Sequence, residues 1–188
     1  EEDYKAFTQE ERNTIVQAFY LSDKKSERQI ADLISFLFLT GCRLGEAFAL
    51  KFDDLKPDRI IFDESYSSET GILKTTKTDT IRIFKTQRYT KLQNLIKALR
   101  TKALPNQEYV FVTLSGKQYN RSKLSALWLG NHKSKKYYDG LVTRLVKEGK
   151  ISQYLKPSST RHTFITLQAH AGVDLKLLAD SVGNSVDV

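Results

Sequence analysis

The chain has 188 residues, 40% of them hydrophobic and 28% charged, and its 30 Lys and Arg exceed its 22 Asp and Glu to give a net charge of +8. This composition excludes a disordered chain and a membrane-spanning protein, and it predicts one compact domain over residues 1–188. The basic surplus favours a polyanionic partner such as nucleic acid, although charge alone leaves an ordinary basic protein equally open. The lone Cys42 cannot form an internal disulfide and no apolar leader opens the sequence, so we expect a reducing cytoplasm.

The first fifty residues show the periodicity of helices. Thr8 and Glu11 form a capping box ahead of an apolar run, which predicts the start of a first helix. A second helix is predicted over residues 28–40, where apolar side chains recur at helical spacing until a glycine interrupts them. A third is predicted over residues 44–50. Arg43 is therefore expected at the junction between two helices.

The middle of the chain is β-prone. Short runs at residues 59–62, 72–75 and 80–84 are separated by Ser, Gly, Thr and Asp, and we predict that they form one three-stranded antiparallel sheet. Helical periodicity then returns over residues 91–102, 123–146 with an interruption near Gly130, 158–171 and 173–182, with a short extended run at 109–113. The predicted fold class is α+β, mainly α-helical.

Two arginine motifs stand out. The first reads T-G-C-R-L-G-E at residues 40–46; its glycine ends a helix, Arg43 projects from the turn, and Glu46 can pair with or orient nearby cations. The second reads S-T-R-H-T-F-I-T at residues 159–166, with A-G-V-D and S-V-G-N-S following it, and centres on Arg161. Either motif alone could be an ordinary surface arginine, but the pair in this order is far less common.

Together the two motifs resemble the arginine boxes of tyrosine recombinases, the phage-integrase type of DNA strand exchangers. The resemblance spans nearly the whole chain and implies the catalytic-domain fold of that family. It also implies a reaction without metal or cofactor, in which a tyrosine attacks a phosphate of double-stranded DNA to give a 3′-phosphotyrosine linkage. A 5′-hydroxyl from a partner strand then reverses the step.

The resemblance also implies roles for individual residues. Arg43 and Arg161 would hold the phosphate oxygens through their planar guanidinium forks. Lys77, in the run K-T-T-K-T-D-T-I-R-I at residues 74–83, would protonate the departing 5′-oxygen as general acid. Lys74 and Arg82 in the same run would contact DNA. A solvated lysine-rich hairpin is the alternative interpretation of this run.

Two positions depart from the family pattern. Ser158 stands where relatives have a histidine three residues before the second arginine, and its hydroxyl can donate to phosphate without taking up a proton near neutral pH. Asn184 stands in place of a second histidine or a tryptophan and remains a neutral donor. We therefore expect slower chemistry rather than none. His162 is expected to be a buried structural histidine, because adjacent helical residues point about 100° apart.

A basic run with neighbouring tyrosines lies at residues 132–138. Its cations, Lys133, Lys135 and Lys136, are predicted to lie along DNA phosphates, with a merely solvated face equally open.

The nucleophilic tyrosine of relatives falls beyond the position of Asn184, and the sequence ends at Val188. We therefore expect a fragment that lacks the nucleophile segment and the amino-terminal core-binding domain, and that binds DNA as a monomer without cleaving it. The full protein would act as a homotetramer on DNA.

The leading hypothesis is a site-specific recombinase of a phage or mobile element. The alternative is a catalytically silent DNA-binding relative of the same fold. An unrelated basic nucleic-acid-binding domain would require both arginine motifs to be accidental.

Overall fold

The chain is described by a computed structural model that covers residues 5–67, 72–75 and 81–183. The helices in these ranges are α1 (Gln9–Leu21), α2 (Lys25–Thr40), α3 (Leu44–Ala49), α4 (Thr90–Lys102), α5 (Arg121–Trp128), α6 (Leu141–Lys147), α7 (Ser159–His170) and α8 (Leu175–Val182). The strands are β1 (Arg59–Phe62), β2 (Glu64–Ser67), β3 (Ile72–Thr75), β4 (Arg82–Lys85), β5 (Gly130–Lys133) and β6 (Lys136–Asp139). The mainly α-helical α+β class is confirmed.

Helix α1 begins as the sequence predicts. The Thr8 side chain accepts a hydrogen bond from the Glu11 backbone amide, while the Glu11 carboxylate accepts from the Thr8 amide at 2.9 Å. These two bonds satisfy amides that the first turn of a helix leaves without partners. The capping box is therefore confirmed.

Helix α2 forms the centre of the core. It packs against α1, α4 and α7, and its apolar side chains are almost completely buried. Aromatic rings gather beside it, with Phe38 and Phe19 each about 6 Å from Trp128 between ring centroids. The Trp128 indole nitrogen donates to the Leu155 carbonyl at 2.9 Å, so this large ring is buried without an unsatisfied donor. Each such buried aromatic contributes roughly 1.5–3 kcal/mol through removal from water.

The prediction of one three-stranded sheet is wrong in its detail. Among the described residues, β1 pairs antiparallel with β4, placing Phe62 opposite Arg82, and β2 pairs antiparallel with β3 in a separate two-stranded ladder. Strand β2 has the sequence E-S-Y-S, which lacks the β-branched residues that mark a strand, and it was therefore not predicted. Because β2 is the partner of β3, β1 is left to pair with β4.

The predicted helix over residues 123–146 is also divided. Helix α5 starts at Arg121 and ends at Trp128, the antiparallel strands β5 and β6 form a hairpin, and α6 follows. A hairpin in this place turns the chain back, so that α5 and α6 pack against each other. The interruption near Gly130 is therefore a two-stranded element that projects basic side chains.

No helix within the described ranges is long and apolar enough to cross a membrane.

Candidate active site

Arg43 occupies the junction between α2 and α3. Gly41 ends α2 in the left-handed conformation, at φ 61°, and a Cβ atom there would come within 2.5 Å of the Phe164 ring on α7. Only glycine meets both demands at low cost. The close approach brings the first motif against the second, and the Arg43 side chain remains 54% exposed at their boundary.

Glu46 is the carboxylate at the centre of this region. It is only 2% exposed, it accepts a hydrogen bond from the Arg43 backbone amide at 2.8 Å, and its other oxygen lies 3.5 Å from Arg43 Nη1. It also forms an ion pair with Arg82 Nη2. The expectation that Glu46 would pair with nearby cations is confirmed. Burial makes the carboxylate costly to desolvate, and the two arginines offset that cost.

Arg161 reaches the same region from the first turn of α7. Its Nη1 donates to the Gly41 carbonyl at 2.8 Å, and its Nη2 donates to the Val182 carbonyl at 2.7 Å. The half-buried guanidinium is thereby fixed between the end of α2 and the end of α8. The two motif arginines, more than half of the chain apart in sequence, are held on either side of one helix junction.

The carboxyl end of α8 receives three arginines in succession. The carbonyls of Ser181, Val182 and Gly183 accept from Arg82 Nη1, Arg161 Nη2 and Arg43 Nη2, respectively. The last carbonyls of a helix have no partners within it and carry partial negative charge, so cations are favoured there. We call this arrangement the α8 carbonyl row. It orients the guanidinium groups from three different elements relative to one another.

Beside these arginines lies a cleft of about 380 Å³. Arg43, Arg161 and Ser158 all line it, so the structure brings three of the predicted site residues together. Its other described lining residues are Cys42, Leu44, Gly45, Phe48, Ser65, Tyr66, Ser67 and Arg121. The α3 residue Gly45 permits the close approach of β2, because a Cβ there would come within 2.9 Å of the Tyr66 carbonyl.

Ser158 occupies the N-cap position of α7, where its hydroxyl makes no capping hydrogen bond among the described residues. The residue is half-buried at the cleft wall. Ser158 therefore forms part of the cleft wall, in the position where the family resemblance puts a histidine.

Two predicted residues, Lys77 and Asn184, lie outside the described residues. Lys74 lies in β3, in register with Ser65 of β2. Because Ser65 lines the cleft, the backbone of Lys74 is one strand away from the cleft wall.

Arg82 does not lie where the sequence led us to expect it. Its side chain is 6% exposed, paired with Glu46 and lying 4.1 Å from the centre of the Phe62 ring. A guanidinium so enclosed cannot reach a DNA surface, so the prediction that Arg82 contacts DNA is corrected. It holds Glu46 and the end of α8 in place instead.

Lys133, Lys135 and Lys136 lie together on the β5–β6 hairpin, and all three are exposed. Tyr137 and Tyr138 beside them are 42% and 44% exposed, with Lys136 Nζ lying 5.4 Å from the centre of the Tyr138 ring. We call the three lysines the basic hairpin. It presents lysine charges to solvent beside two exposed tyrosines, in contrast with the arginines of the cleft, whose guanidinium groups donate to backbone carbonyls.

The electrostatics of the cleft favour an anion. Burial, followed by repulsion from Arg43, lowers the pKa of Arg161 to about 10. Burial raises the pKa of the Cys42 thiol to about 12, so this thiol stays protonated and packs as an apolar group.

Burial and the neighbouring Arg161 lower the pKa of His162, a half-buried residue of α7 that is not among the described lining residues. Within the described ranges, no cluster of His, Cys, Asp and Glu could hold a metal ion.

The sequence did not indicate that Arg121 and residues 65–67 line the cleft. Asn120 could have indicated the position of Arg121, because asparagine is a favoured N-cap residue and an apolar run follows it. The Asn120 side chain accepts from the Lys123 amide at 2.9 Å, so α5 begins at Arg121. No local signal in E-S-Y-S indicates that β2 faces the cleft.

Comparisons with known proteins agree with this architecture. The Tn1549 transposon integrase, solved as residues 82–397 in complex with a circular intermediate DNA, superposes with a TM-score of 0.73 at 20% identity over 98% of this chain and 60% of that chain. The XerA recombinase superposes with a TM-score of 0.65 at 20% identity over 96% of this chain and 55% of that one. A lambda integrase dimer bound to a core site gives 0.59 at 15% identity, over 98% and 59%.

This chain thus spans about three fifths of the length of the integrase structures that it matches. At these identities the superpositions establish the fold, which is that of tyrosine recombinase catalytic domains. No curated protein sequence matches the chain. The phage integrase family matches residues 5–185, nearly the entire sequence. The chain therefore belongs to the phage integrase family of tyrosine recombinases.

Proposed function

We propose that this chain is the catalytic domain, over residues 1–188, of a site-specific DNA recombinase that cleaves and rejoins double-stranded DNA through a 3′-phosphotyrosine intermediate. The observation that carries the proposal is the convergence of Arg43, Arg161 and Ser158 on one cleft from distant parts of the sequence. The DNA complexes among the structural relatives, the Tn1549 transposon integrase and the lambda integrase, support double-stranded DNA as the substrate.

The two arginines hold the scissile phosphate. Attack on a phosphodiester concentrates negative charge on the non-bridging oxygens, and planar guanidinium groups bind such oxygens through paired, charge-assisted hydrogen bonds. Arg43 and Arg161 are already oriented by Glu46 and the α8 carbonyl row. Ser158 donates a further hydrogen bond from the cleft wall.

The chemical step exchanges one phosphate ester for another. A tyrosine hydroxyl releases its proton to water and forms a bond from its oxygen to phosphorus, while the bond from phosphorus to the 5′-oxygen breaks and that oxygen gains a proton. A 5′-hydroxyl then attacks the phosphotyrosine and loses its proton, while the bond from phosphorus to the tyrosine oxygen breaks and that oxygen regains a proton. The number of ester bonds is unchanged and no cofactor is consumed. Lys77 supplies the proton to the 5′-oxygen, and Asn184 donates a hydrogen bond to the phosphate.

Contacts outside the cleft hold the DNA in register. Lys74 precedes Lys77 on the chain segment that follows the cleft wall, and the basic hairpin contacts the phosphate backbone at a second place. Such backbone contacts supply affinity and position rather than sequence recognition. We further propose that the complete protein assembles as a homotetramer on DNA in the cytoplasm, and that this chain alone is monomeric.

A second candidate function is a DNA-binding relative that has lost catalysis. The observation that favours it is Ser158, which occupies a histidine position in the cleft wall and cannot accept a proton near neutral pH. The two candidates share the arginine site and differ only in whether a covalent adduct forms.

The test uses the longest form of the protein that its gene encodes, mixed with nicked suicide DNA taken from the ends of its mobile element. A denaturing gel detects a covalent protein–DNA adduct. We expect the adduct with the wild type and with Arg28→Ala, a matched control because Arg28 is an exposed arginine of α2 that does not line the cleft, and not with Arg161→Ala.

Salt-sensitive DNA binding without an adduct in any variant would replace recombination with the silent-relative function. Absence of salt-sensitive binding would contradict both candidates.

A further inference from the structure

A third arginine of the candidate cleft belongs to neither family motif. Arg121 is the first residue of α5 and lines the cleft together with Arg43 and Arg161. It approaches from a different element, more than seventy residues after Arg43 in the sequence. The cleft is therefore flanked by guanidinium groups from three places: the α2–α3 junction, the start of α5 and the first turn of α7.

The start of α5 is held firmly against α3. Gln118 Nε2 donates to the Phe48 carbonyl at 2.9 Å, and Phe48 is itself a lining residue of the cleft. Tyr119 is buried, and the Asn120 side chain caps the helix. Arg121 is thereby presented from a fixed backbone rather than from a loose loop, which favours a defined contact over a fluctuating one.

The helical position of Arg121 directs it towards the cleft side. Leu124 and Trp128, three and seven residues later, are completely buried and therefore mark the face of α5 that points into the protein. Arg121 lies on that same face at its open end. Lys123 lies about 200° around the helix from Arg121, is exposed, and does not line the cleft.

The described lining of the cleft offers guanidinium donors to an anion with more than one oxygen. Its described lining includes three arginines and no Asp or Glu, and the nearby carboxylate of Glu46 is engaged with Arg43 and Arg82. Guanidinium groups bind phosphate oxygens through charge-assisted hydrogen bonds, and a phosphodiester that entered the cleft would bring two non-bridging oxygens to a space that three arginines line.

We infer that Arg121 is a third phosphate-binding arginine of this site and contacts the scissile phosphate, strengthening the hydrogen bonding where Ser158 offers only a hydroxyl. This inference rests on the proposed recombinase function and adds a substrate-contacting residue to it. Arginine stays protonated throughout, so Arg121 stabilises the charge of the transition state and transfers no proton. Arg121 would thus add a cationic hydrogen-bond donor to a site in which Ser158 replaces the histidine of the family pattern.

Single-turnover cleavage of the suicide DNA at saturating protein tests the contact. We expect Arg121→Ala to slow adduct formation by about 10²-fold or more, as removal of one transition-state donor does elsewhere, and Arg121→Lys to recover part of the rate. Lys123→Ala is the matched control on the same helix and is expected to keep the wild-type rate. At saturating protein, a change in DNA affinity does not alter the measured rate. Thermal unfolding followed by circular dichroism verifies that each variant is folded.

The salt dependence of duplex binding by the 188-residue chain provides an independent measurement. Loss of one phosphate contact is expected to reduce the slope of log affinity against log salt by about 0.9 in Arg121→Ala relative to Lys123→Ala. Two outcomes would overturn the role of Arg121 and leave the proposed function intact. One is an unchanged slope, and the other is a cleavage rate for Arg121→Ala equal to that of the control while the wild type is active. A wild type that forms no adduct would instead overturn the proposed function, and with it the catalytic part of this inference.

Discussion

Two arginine–carboxylate centres of the molecule differ in their charge balance. In the first, which we call the cleft centre, Arg43, Arg82 and Arg161 gather around the single carboxylate of Glu46. In the second, the balanced pair, Arg144 of α6 binds Glu27 of α2 through two parallel hydrogen bonds of 2.9 and 2.7 Å. Both carboxylates are 2% exposed, so burial does not distinguish the centres.

The pKa directions of the arginines follow from this difference. Hydrogen bonding to Glu27 raises the pKa of Arg144, whereas burial and then Arg43 lower the pKa of Arg161 to about 10. The balanced pair joins two helices through one arginine and one carboxylate, and Lys24 lies 3.6 Å from the same carboxylate. Among the described residues, the cleft centre places three arginines around the one carboxylate of Glu46, beside an open cleft. The number of arginines around each buried carboxylate therefore distinguishes the candidate site from the structural ion pair.

The largest expected effect is on stability. Glu46→Ala removes the carboxylate from Arg82, which is itself buried, and breaking a buried pair in this way costs about 3–5 kcal/mol. We expect the Tm to fall by roughly 6–20 °C for a chain of this size. Glu27→Ala should cost less, because Arg144 is 28% exposed and water can replace its partner. Thermal unfolding compares the two variants, and an equal or smaller loss in Glu46→Ala would contradict the comparison.

Conservative arginine substitutions should separate the two centres by function. Arg161→Lys is expected to reduce the rate of adduct formation by about 10²–10³-fold, since lysine lacks the planar fork. Arg144→Lys loses a comparable pair of hydrogen bonds, worth roughly 1–2 kcal/mol, and should leave that rate unchanged. Adduct assays with the longest form of the protein, together with unfolding curves for both variants, make this measurement. Similar cleavage rates for the two variants would remove the distinction.

A smaller effect is expected from the basic hairpin, whose lysines have no structural partner comparable with Glu46 or Glu27 in the described ranges. Replacing all three with Ala should reduce the slope of log affinity against log salt by up to about 2.7, corresponding to about 0.9 for each phosphate contact. Stability should change little, because these side chains are exposed. A triple substitution of Lys24, Lys25 and Lys150, three exposed lysines outside the hairpin, is the control and should retain the wild-type slope.

The smallest effect is the response of the balanced pair to acid. Burial raises the pKa of Glu27, but hydrogen bonds from Arg144 and Ser22 outweigh it and the net pKa is lowered from 4.5. The stability contributed by this carboxylate is therefore present above about pH 4.5 and is lost as the pH falls through its lower folded value. Glu27→Gln should flatten the decline of Tm below pH 4.5, with Glu11 supplying part of the remaining slope. An unchanged decline would show that Glu27 does not contribute to it.

The elements that sequence predicts well are those defined by local contacts. The Thr8 capping box and the left-handed Gly41 each depend on hydrogen bonds within a few residues, and both appear where their residue types require them. The positions of Arg43, Glu46 and Arg161 were also predictable, because two motifs in a fixed order specify them. Strand partners were not, since the pairing of β1 with β4 depends on where β2 and β3 lie.

Arg82 illustrates how a local pattern can mislead. In β4 the alternation of side chains would place the apolar Ile83 inside and Arg82 outside, yet Ile83 is 46% exposed and Arg82 is buried with Phe84. The reversal occurs because the buried Glu46, the Phe62 ring and the end of α8 all provide partners for a guanidinium on that face. None of these partners is near Arg82 in the sequence, so periodicity alone could not reveal them.

The α8 carbonyl row also has an entropic consequence. A long side chain immobilised during binding costs about 0.5–1.5 kcal/mol in lost rotamer freedom. Arg43 and Arg161 are already restrained by carbonyls and Glu46, so their freedom is lost when the protein folds rather than when a phosphate arrives. For two such side chains, binding avoids an entropic cost of roughly 1–3 kcal/mol. A ligand that displaced α8 would restore this cost and would also disturb the positions of the arginines.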